Sequence, residues 1–183
     1  MPFIILDRDG VINFDSDFYI KTPEEFLPIP GSLEAIAKLN RAGYHVLVAT
    51  NQSGIARGYY DLPMLHRIHD KLRAELKKVG GVVEEIFFCP HHPDEKCACR
   101  KPQPGMFYDI QKKYGIHFAD VFFIGDSLTD MHVAEVVGCK PILVLTSKGE
   151  KTLKNNPELS VIPQYANLAE AVDAILSVPS DSN

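Results

Sequence analysis

No stretch of this chain approaches the roughly 18–20 consecutive apolar residues that a membrane-crossing helix needs, so no membrane partner is expected. The apolar run from Pro2 to Leu6 meets Asp7-Arg8-Asp9 at once. It is too short for a signal peptide, and no cleavage pattern follows it. Positive charge is scarce as well: 19 Lys and Arg stand against 24 Asp and Glu, a formal net charge of -5. A chain with no broad basic footprint is a poor match for a polyanion, so nucleic acid is not an expected partner. Cysteine is rare and unevenly placed, with Cys89, Cys97 and Cys99 inside eleven positions and Cys139 far away. That is not an even disulfide framework; in a reducing compartment such a cluster points to metal or redox chemistry. Internal repeats, low-complexity tracts and linkers are absent too. The expected location is the cytoplasm.

What is present reads as an ordinary folded domain. The 183 residues are 45% hydrophobic and 23% charged, and a chain of this size buries about 70% of its extended surface. One domain over residues 1–178 is expected, with 179–183 as a frayed tail and the protein a monomer. Short apolar runs alternate with helical patterns. Strands are expected at Phe3–Leu6, His45–Ala49, Ile86–Phe88, Val121–Ile124 and Ile142–Leu145. Between them, Ser32–Ala42 reads as a helix stopped by Gly43. Leu65, Ile68, Leu72, Leu76 and Val79 form an amphipathic stripe capped by Asp61. Met106–Tyr114 and Leu128–Val137 are closed by Gly115 and Gly138, and Asn167 caps a last helix through Leu176 with Glu170 at the capping-box position. Apolar strands alternating with helices predict an α/β fold: a parallel sheet covered by helices on both faces.

Ligands of open α/β sheets sit beyond the carboxyl ends of the strands, so the residues after each strand carry the functional signal. Asp7-Arg8-Asp9-Gly10 follows the first strand, Thr50-Asn51-Gln52-Ser53-Gly54 the second, and Gly125-Asp126-Ser127-Leu128-Thr129-Asp130 the fourth. The loop after the third ends in Arg100-Lys101-Pro102. Carboxylates are ligands of Mg²⁺, which takes one or two of them together with phosphate oxygen. Asp7 suits a nucleophile that forms an aspartyl-phosphate. Asp9 suits a proton donor to a leaving alkoxide that later activates water. The strand period would place both on one face if the strand ran that far. Thr50, Asn51 and Lys101 suit phosphoryl oxygens. Each residue alone is more often a turn or cap residue; the four-part order carries the argument.

In that order the motifs resemble those of haloacid-dehalogenase-type phosphatases. Asp7-Arg8-Asp9-Gly10, Thr50 through Gly58, Cys89-Pro90-His91-His92-Pro93, Cys97 through Pro102 and Pro104-Gly105-Met106 are similar to the D-glycero-D-manno-heptose 1,7-bisphosphate 7-phosphatase family. The resemblance spans about residues 3 to 176. It implies a Rossmann-like three-layer fold without a large cap domain. The implied reaction is Mg²⁺-dependent removal of the 7-phosphate from a heptose bisphosphate, in bacterial heptose synthesis for surface glycans. It further implies Asp7 as nucleophile and Asp9 as general acid and base. Mg²⁺ would lie on the Asp7 carboxylate, the Asp9 carbonyl and Asp126, with Thr50 and Lys101 on the phosphoryl group and Arg100 on the rest of the substrate. Asn51, Gln52, Ser53 and the loop of Asp15, Ser16 and Tyr19 would shape the pocket. Asp130 is expected either as a cap or second hydrogen-bonding partner or on the metal. The resemblance departs at Ser127, where some family members carry lysine.

Cys89-x-His91 followed by Cys97-x-Cys99 offers three sulfurs and an imidazole, the donor set of a closed tetrahedral Zn²⁺ site. Buried or free thiols beside a surface histidine are the competing reading of the spacing; the resemblance favours a structural Zn²⁺ bracing the loop that carries Arg100 and Lys101. His92 competes with His91 for the histidine position. His66 and His69 are expected to be solvated. Lys148, Lys151 and Lys154 read as a solvated basic face, Arg8 and Arg57 as rim residues within reach of a second phosphate, and Cys139 as a small buried hydrophobe. Histidinol-phosphate phosphatases share the motifs and the zinc loop, so they remain the alternative enzyme reading. A non-catalytic, receiver-like phosphate acceptor would also cluster aspartates, but it has no use for an acid at Asp9.

Overall fold

The computed structural model describes residues 2–177; the expected tail at 179–183 lies outside them. Its strands are β1 (Phe3–Leu6), β2 (His45–Asn51), β3 (Glu85–Cys89), β4 (Phe122–Gly125), β5 (Lys140–Val144) and β6 (Gln164–Tyr165). Its helices are α1 (Ser32–Arg41), α2 (Leu62–Lys78), α3 (Gly105–Tyr114), α4 (Leu128–Val137), α5 (Gly149–Asn155) and α6 (Leu168–Ser177). The strands form one sheet in the order β3-β2-β1-β4-β5-β6, and each neighbouring pair is parallel. The chain starts at the centre, builds outward to β3, and then crosses to the other side of β1. The loops after β1 and β4 therefore diverge, which opens a crevice between them.

Strand alternation divides the core into two layers. Ile4, Leu6, Val46, Val48, Ile124 and Val144 face α1, α2 and α6. Ile5, Leu47, Ala49, Cys89 and Phe123 face α3 and α4. Both faces are apolar because both are covered. Asp61 caps α2, accepting from the Met64 amide at 2.9 Å, and the helix starts directly after it at Leu62. Cys139 is buried in the α3–α4 layer, as its sequence context predicts.

Two elements escape the sequence reading. The polar pair Gln164-Tyr165 is too short to show a period. Helix α5 has a single leucine, Leu153, and no apolar stripe. Side-chain hydrogen bonding anchors it: the Thr152 hydroxyl donates to the Asp126 carbonyl at 2.9 Å.

Candidate active site and metal centres

β1 ends at Leu6, but the Asp7 amide still donates to the Ile124 carbonyl at 2.9 Å, holding Asp7 against β4. Gly10 then turns the chain with φ +82°, and a Cβ at this position would collide with the Asp126 carboxylate. The loops of β1 and β4 thus meet backbone to side chain. A cavity of about 310 Å³ opens between them, and every residue expected at the carboxylate site except Asp130 lines it. Asp17, Ile20, Arg57, Thr129 and Lys148 line it too.

Lys101 is the centre of the arrangement. It is 2% exposed. Its Nζ lies 2.7 Å from Asp130 Oδ1 and 3.1 Å from Asp7 Oδ2, and donates to the Ala49 carbonyl at 2.8 Å. Burial opposes its charge, but Asp130 and Asp7 outweigh that and raise its pKa. Asn51 does more than shape the pocket: its Nδ2 donates to the Lys101 carbonyl at 3.1 Å and its Oδ1 accepts from the Lys101 amide at 3.0 Å. Asp130 is fully buried. Its Oδ2 accepts from the Ser127 amide at 3.1 Å, the Asp126 amide at 3.2 Å and the Ser127 hydroxyl at 2.7 Å. It closes a capping box at the start of α4, so it serves as cap and lysine clamp together.

Asp7, Asp126 and Asp130 each offer an oxygen, all within 4.8 Å of one another. One ammonium cannot neutralise three buried carboxylates. Burial raises Asp7 well above the usual carboxylate range despite Lys101, with Asp130 and Asp126 adding to the rise. Burial and then Asp130 push Asp126 up to about 7. An oxygen-rich pocket with this excess of negative charge fits a divalent cation.

Asp9 lies on the other side of the cavity. The Arg8 guanidinium grips it, with Nη2 at 2.9 Å and Nε at 3.1 Å from Oδ1. Asn13 donates to Oδ1 at 2.8 Å and Gln52 to Oδ2 at 2.8 Å. Burial would raise this carboxyl, but these donors, Arg8 first, bring it below its usual value. Arg8 is therefore not a rim residue. It is fully buried, because position 8 continues the inward face of Ile4 and Leu6 towards α2. There it meets His69, which is 2% exposed rather than solvated; His66, one side of the stripe away, is exposed. Asp7 and Asp9 both line the cavity, beyond the last residue of β1.

Thr50 is buried and its Oγ1 accepts from Gln52 Nε2 at 2.9 Å. Tyr19 adopts a left-handed φ of 67°, an uncommon state for a bulky residue. Its ring lies 5.0 Å from that of Tyr59, with the Arg57 guanidinium 5.7 Å from its centroid. The basic face after β5 splits up. Lys148 reaches across the cavity mouth to Asp15 at 2.7 Å, while Lys151 and Lys154 are exposed.

The second cluster is formed by the last residue of β3 and the loop after it. Cys99 Sγ lies 3.0 Å from Cys89 Sγ, 3.5 Å from Cys97 Sγ and 3.2 Å from His91 Nδ1. Tetrahedral donors around a Zn–S distance of about 2.3 Å stand about 3.7 Å apart, close to these separations. All four cysteines are free thiols. Burial opposes ionisation of Cys97, but the Arg100 amide and the neighbouring thiols bring it down to about 7. His92 turns away. Its Nδ1 accepts from the Asp94 amide at 3.2 Å and lies 3.3 Å from Asp94 Oδ2, so His91 completes the cluster. The loop then folds back onto α3. Gly105 donates to the Ala98 carbonyl at 2.8 Å, at a place where a Cβ would strike that carbonyl. A donor set of three thiols and an imidazole fits zinc.

Fold and site define a haloacid-dehalogenase-like hydrolase, and the HAD-hydrolase-like family model matches residues 98–171. A D-glycero-beta-D-manno-heptose-1,7-bisphosphate 7-phosphatase of Pseudomonas putida is 57% identical over 163 residues, covering 88% of this chain and 93% of its own. That of Bordetella bronchiseptica is 54% identical over 175 residues, 96% of each chain. A crystal structure of the D,D-heptose 1,7-bisphosphate phosphatase from B. bronchiseptica, complexed with magnesium and phosphate, superposes with a TM-score of 0.93. It is 49% identical and covers 96% of this chain and 98% of that one. The chain belongs to the D-glycero-D-manno-heptose-1,7-bisphosphate 7-phosphatase family and is a phosphoric monoester hydrolase. Among the described residues, no helix is long and apolar enough to cross a membrane.

Proposed function

We propose that this chain removes the 7-phosphate of D-glycero-β-D-manno-heptose 1,7-bisphosphate in bacterial heptose synthesis, working as a cytoplasmic monomer with one phosphatase domain over residues 1–178. The carrying observation is the buried Lys101 ammonium between Asp7 and Asp130, with Asp126 alongside. The β anomer follows the names of the relatives above 50% identity.

An Asp7 carboxylate oxygen attacks phosphorus, and the bond from phosphorus to the C7 oxygen breaks. Asp9, having taken up a proton beside the incoming phosphate dianion, gives it to the leaving alkoxide. Asp9 then takes a proton from water. That water attacks the aspartyl-phosphate, releasing inorganic phosphate and restoring Asp7. Lys101 and Thr50 hold the phosphoryl oxygens as charge develops on them. Asp7, Asp126 and the Asp9 carbonyl would hold Mg²⁺, which supplies Lewis-acid charge neutralisation when bound. Cys89, His91, Cys97 and Cys99 would hold a structural Zn²⁺. Arg100 has a buried Nη1 without a protein partner, which suits it to the distal part of the substrate. Asp15, Ser16, Tyr19, Gln52 and Ser53 complete the pocket wall, and Asn51 holds Lys101 in place.

Phosphate release with Mg²⁺ tests the reading, with both heptose bisphosphate anomers and histidinol phosphate compared by kcat/KM. A clear preference for the β anomer is expected. A preference for histidinol phosphate would overturn the substrate and leave the nucleophile in place; a preference for the α anomer would overturn the anomer alone.

A further inference from the structure

Asp9 is gripped from two sides, and the groups behind the grip, Arg8 and His69 on one side and Tyr60 on the other, do not line the cavity. On one side Arg8 is fully buried and gives three hydrogen bonds to the Asp9 carboxylate. Its remaining arm, Nη1, lies 3.1 Å from His69 Nε2. Arginine has donors and no acceptor, so Nε2 must present its lone pair and the ring proton must sit on Nδ1. A protonated ring there would set two cations in contact in a buried place. Burial, reinforced by Arg8, accordingly takes His69 down to about 3, so the ring is neutral throughout the working range. The ring is itself confined, 6.1 Å from the Phe88 ring. On the other side, the Tyr60 hydroxyl donates to Gln52 Oε1 at 2.6 Å. With its oxygen thus engaged, the Gln52 amide turns its nitrogen to Asp9. His69 lies on α2 and Tyr60 just before the Asp61 cap, so one segment supplies both supports.

We propose that His69 is a positioning residue for proton transfer: as a neutral acceptor it fixes the Arg8 guanidinium and, through it, the Asp9 carboxylate. Tyr60 supports the opposite oxygen through Gln52. The inference rests on the reading of Asp9 as general acid. A histidine that merely fills the core would, when replaced, impair every substrate alike; one that aims the acid impairs those whose leaving group needs a proton.

The test compares kcat/KM for the heptose bisphosphate with that for p-nitrophenyl phosphate, whose leaving group departs without protonation. Asp9→Asn, His69→Leu, His69→Gln and Tyr60→Phe are measured with Mg²⁺ beside the wild type. General acid–base help is worth about 10²–10⁴-fold, so misaiming the acid should cost His69→Leu about 10–50-fold on the sugar phosphate and less than about 3-fold on the aryl phosphate. His69→Gln, which keeps an acceptor, should recover to within about 5-fold of wild type, and Tyr60→Phe should show a smaller loss with the same selectivity. Equal losses on both substrates, no loss in His69→Leu, or no recovery in His69→Gln would each overturn the proposal. If His69→Leu does not fold, His69→Gln and Tyr60→Phe still decide: a selective loss in Tyr60→Phe beside near-normal His69→Gln supports it, and any other pattern overturns it. If Asp9→Asn itself shows no leaving-group selectivity, the acid reading fails; if Asp9→Asn is selective and the His69 and Tyr60 variants are not, only this inference fails.

Discussion

The two clusters of metal-ligating side chains are built in opposite ways. Asp7, Asp126 and Asp130 are far apart in sequence and meet because β1 pairs with β4. They are 9%, 2% and 0% exposed, and their negative charge exceeds what Lys101 neutralises. Cys89 ends β3, and His91, Cys97 and Cys99 belong to the loop that follows it; all but Cys89 are half-buried, and the four make a tetrahedral set by themselves. The first cluster opens on the cavity through Asp7 and Asp126 and carries unrelieved charge, the condition for binding and transforming an anion through a cation. The second leaves no place for water or substrate once a metal is bound. Its effect on chemistry passes along the chain, since Arg100 and Lys101 directly follow Cys99. One cluster should be indispensable for turnover, the other for placing a residue that turnover uses.

The largest expected effect is at Asp7. Asp7→Asn should lower kcat by more than about 10⁴-fold, since loss of a covalent nucleophile is close to complete loss. Removing one of three crowded carboxylates relieves repulsion, so thermal unfolding should shift little or upward. Phosphate-release assays and a melting curve check both halves. Turnover within tenfold of wild type would break the proposed division of labour at its stronger side.

Zinc removal should have the next largest effect. Chelation followed by Mg²⁺ re-addition, or Cys99→Ser, should lower activity about 10–100-fold, the range typical when support of a site is lost. The residual activity should still require Mg²⁺, and the melting temperature should fall. Zinc content by elemental analysis, set beside activity, decides the matter: a zinc-free preparation with full activity would erase the distinction between bracing and bystander.

The same contrast governs what the sequence reveals. The Cys/His loop is legible because its donors are neighbours, and only the choice between His91 and His92 needs three dimensions. The carboxylate site is legible because strand ends in a parallel sheet converge, so Asp7, Thr50 and Asp126 stand out at their strand ends and Lys101 at the end of the loop after β3. The supporting groups are hidden. Arg8 looks like any charged residue beside a cavity until strand alternation shows that it points inward. His69 lies at the edge of an apolar stripe, where a polar ring reads as solvated; a buried cation waiting for an acceptor is invisible from α2 alone. Lys148 reads as a surface charge because Asp15, its partner, is remote in sequence. Helix α5 lacks the apolar stripe by which a sequence announces a helix.

A subtler test uses pH. Asp126 has a folded pKa of about 7, above its unfolded value. Between the two values the native state binds more protons than the unfolded one, so this group's contribution to stability falls as pH rises through that window. A cation on the cluster competes with those protons. The rise in melting temperature caused by Mg²⁺ should therefore grow as pH increases from about 5 to 8. Taking the difference with and without Mg²⁺ cancels the opposite contribution of His69, whose neutral form is favoured by folding. The sulfur cluster predicts no such Mg²⁺ dependence, so an Mg²⁺ shift that is flat with pH would detach the titrating carboxylates from metal binding.

The smallest effect separates the two adjacent histidines. His92 has its side chain engaged with the Asp94 amide, and its own amide donates to Glu95 Oε1 at 2.7 Å. That makes it the cap of a short turn on the outside of the loop. Caps contribute about 1 kcal/mol, which in a chain of this size moves the melting temperature by about 2–4 °C. His92→Ala should therefore retain its zinc and stay within about twofold of wild-type kcat, since a cap loss at an exposed turn leaves the four donors untouched. His91→Ala removes a donor and should lose metal affinity together with the placement of Lys101. Loss of zinc in His92→Ala with retention in His91→Ala would reverse the assignment of the fourth ligand. The bracing role of the loop would survive that reversal, because it depends on Cys99 preceding Arg100 and Lys101, whichever ring closes the tetrahedron.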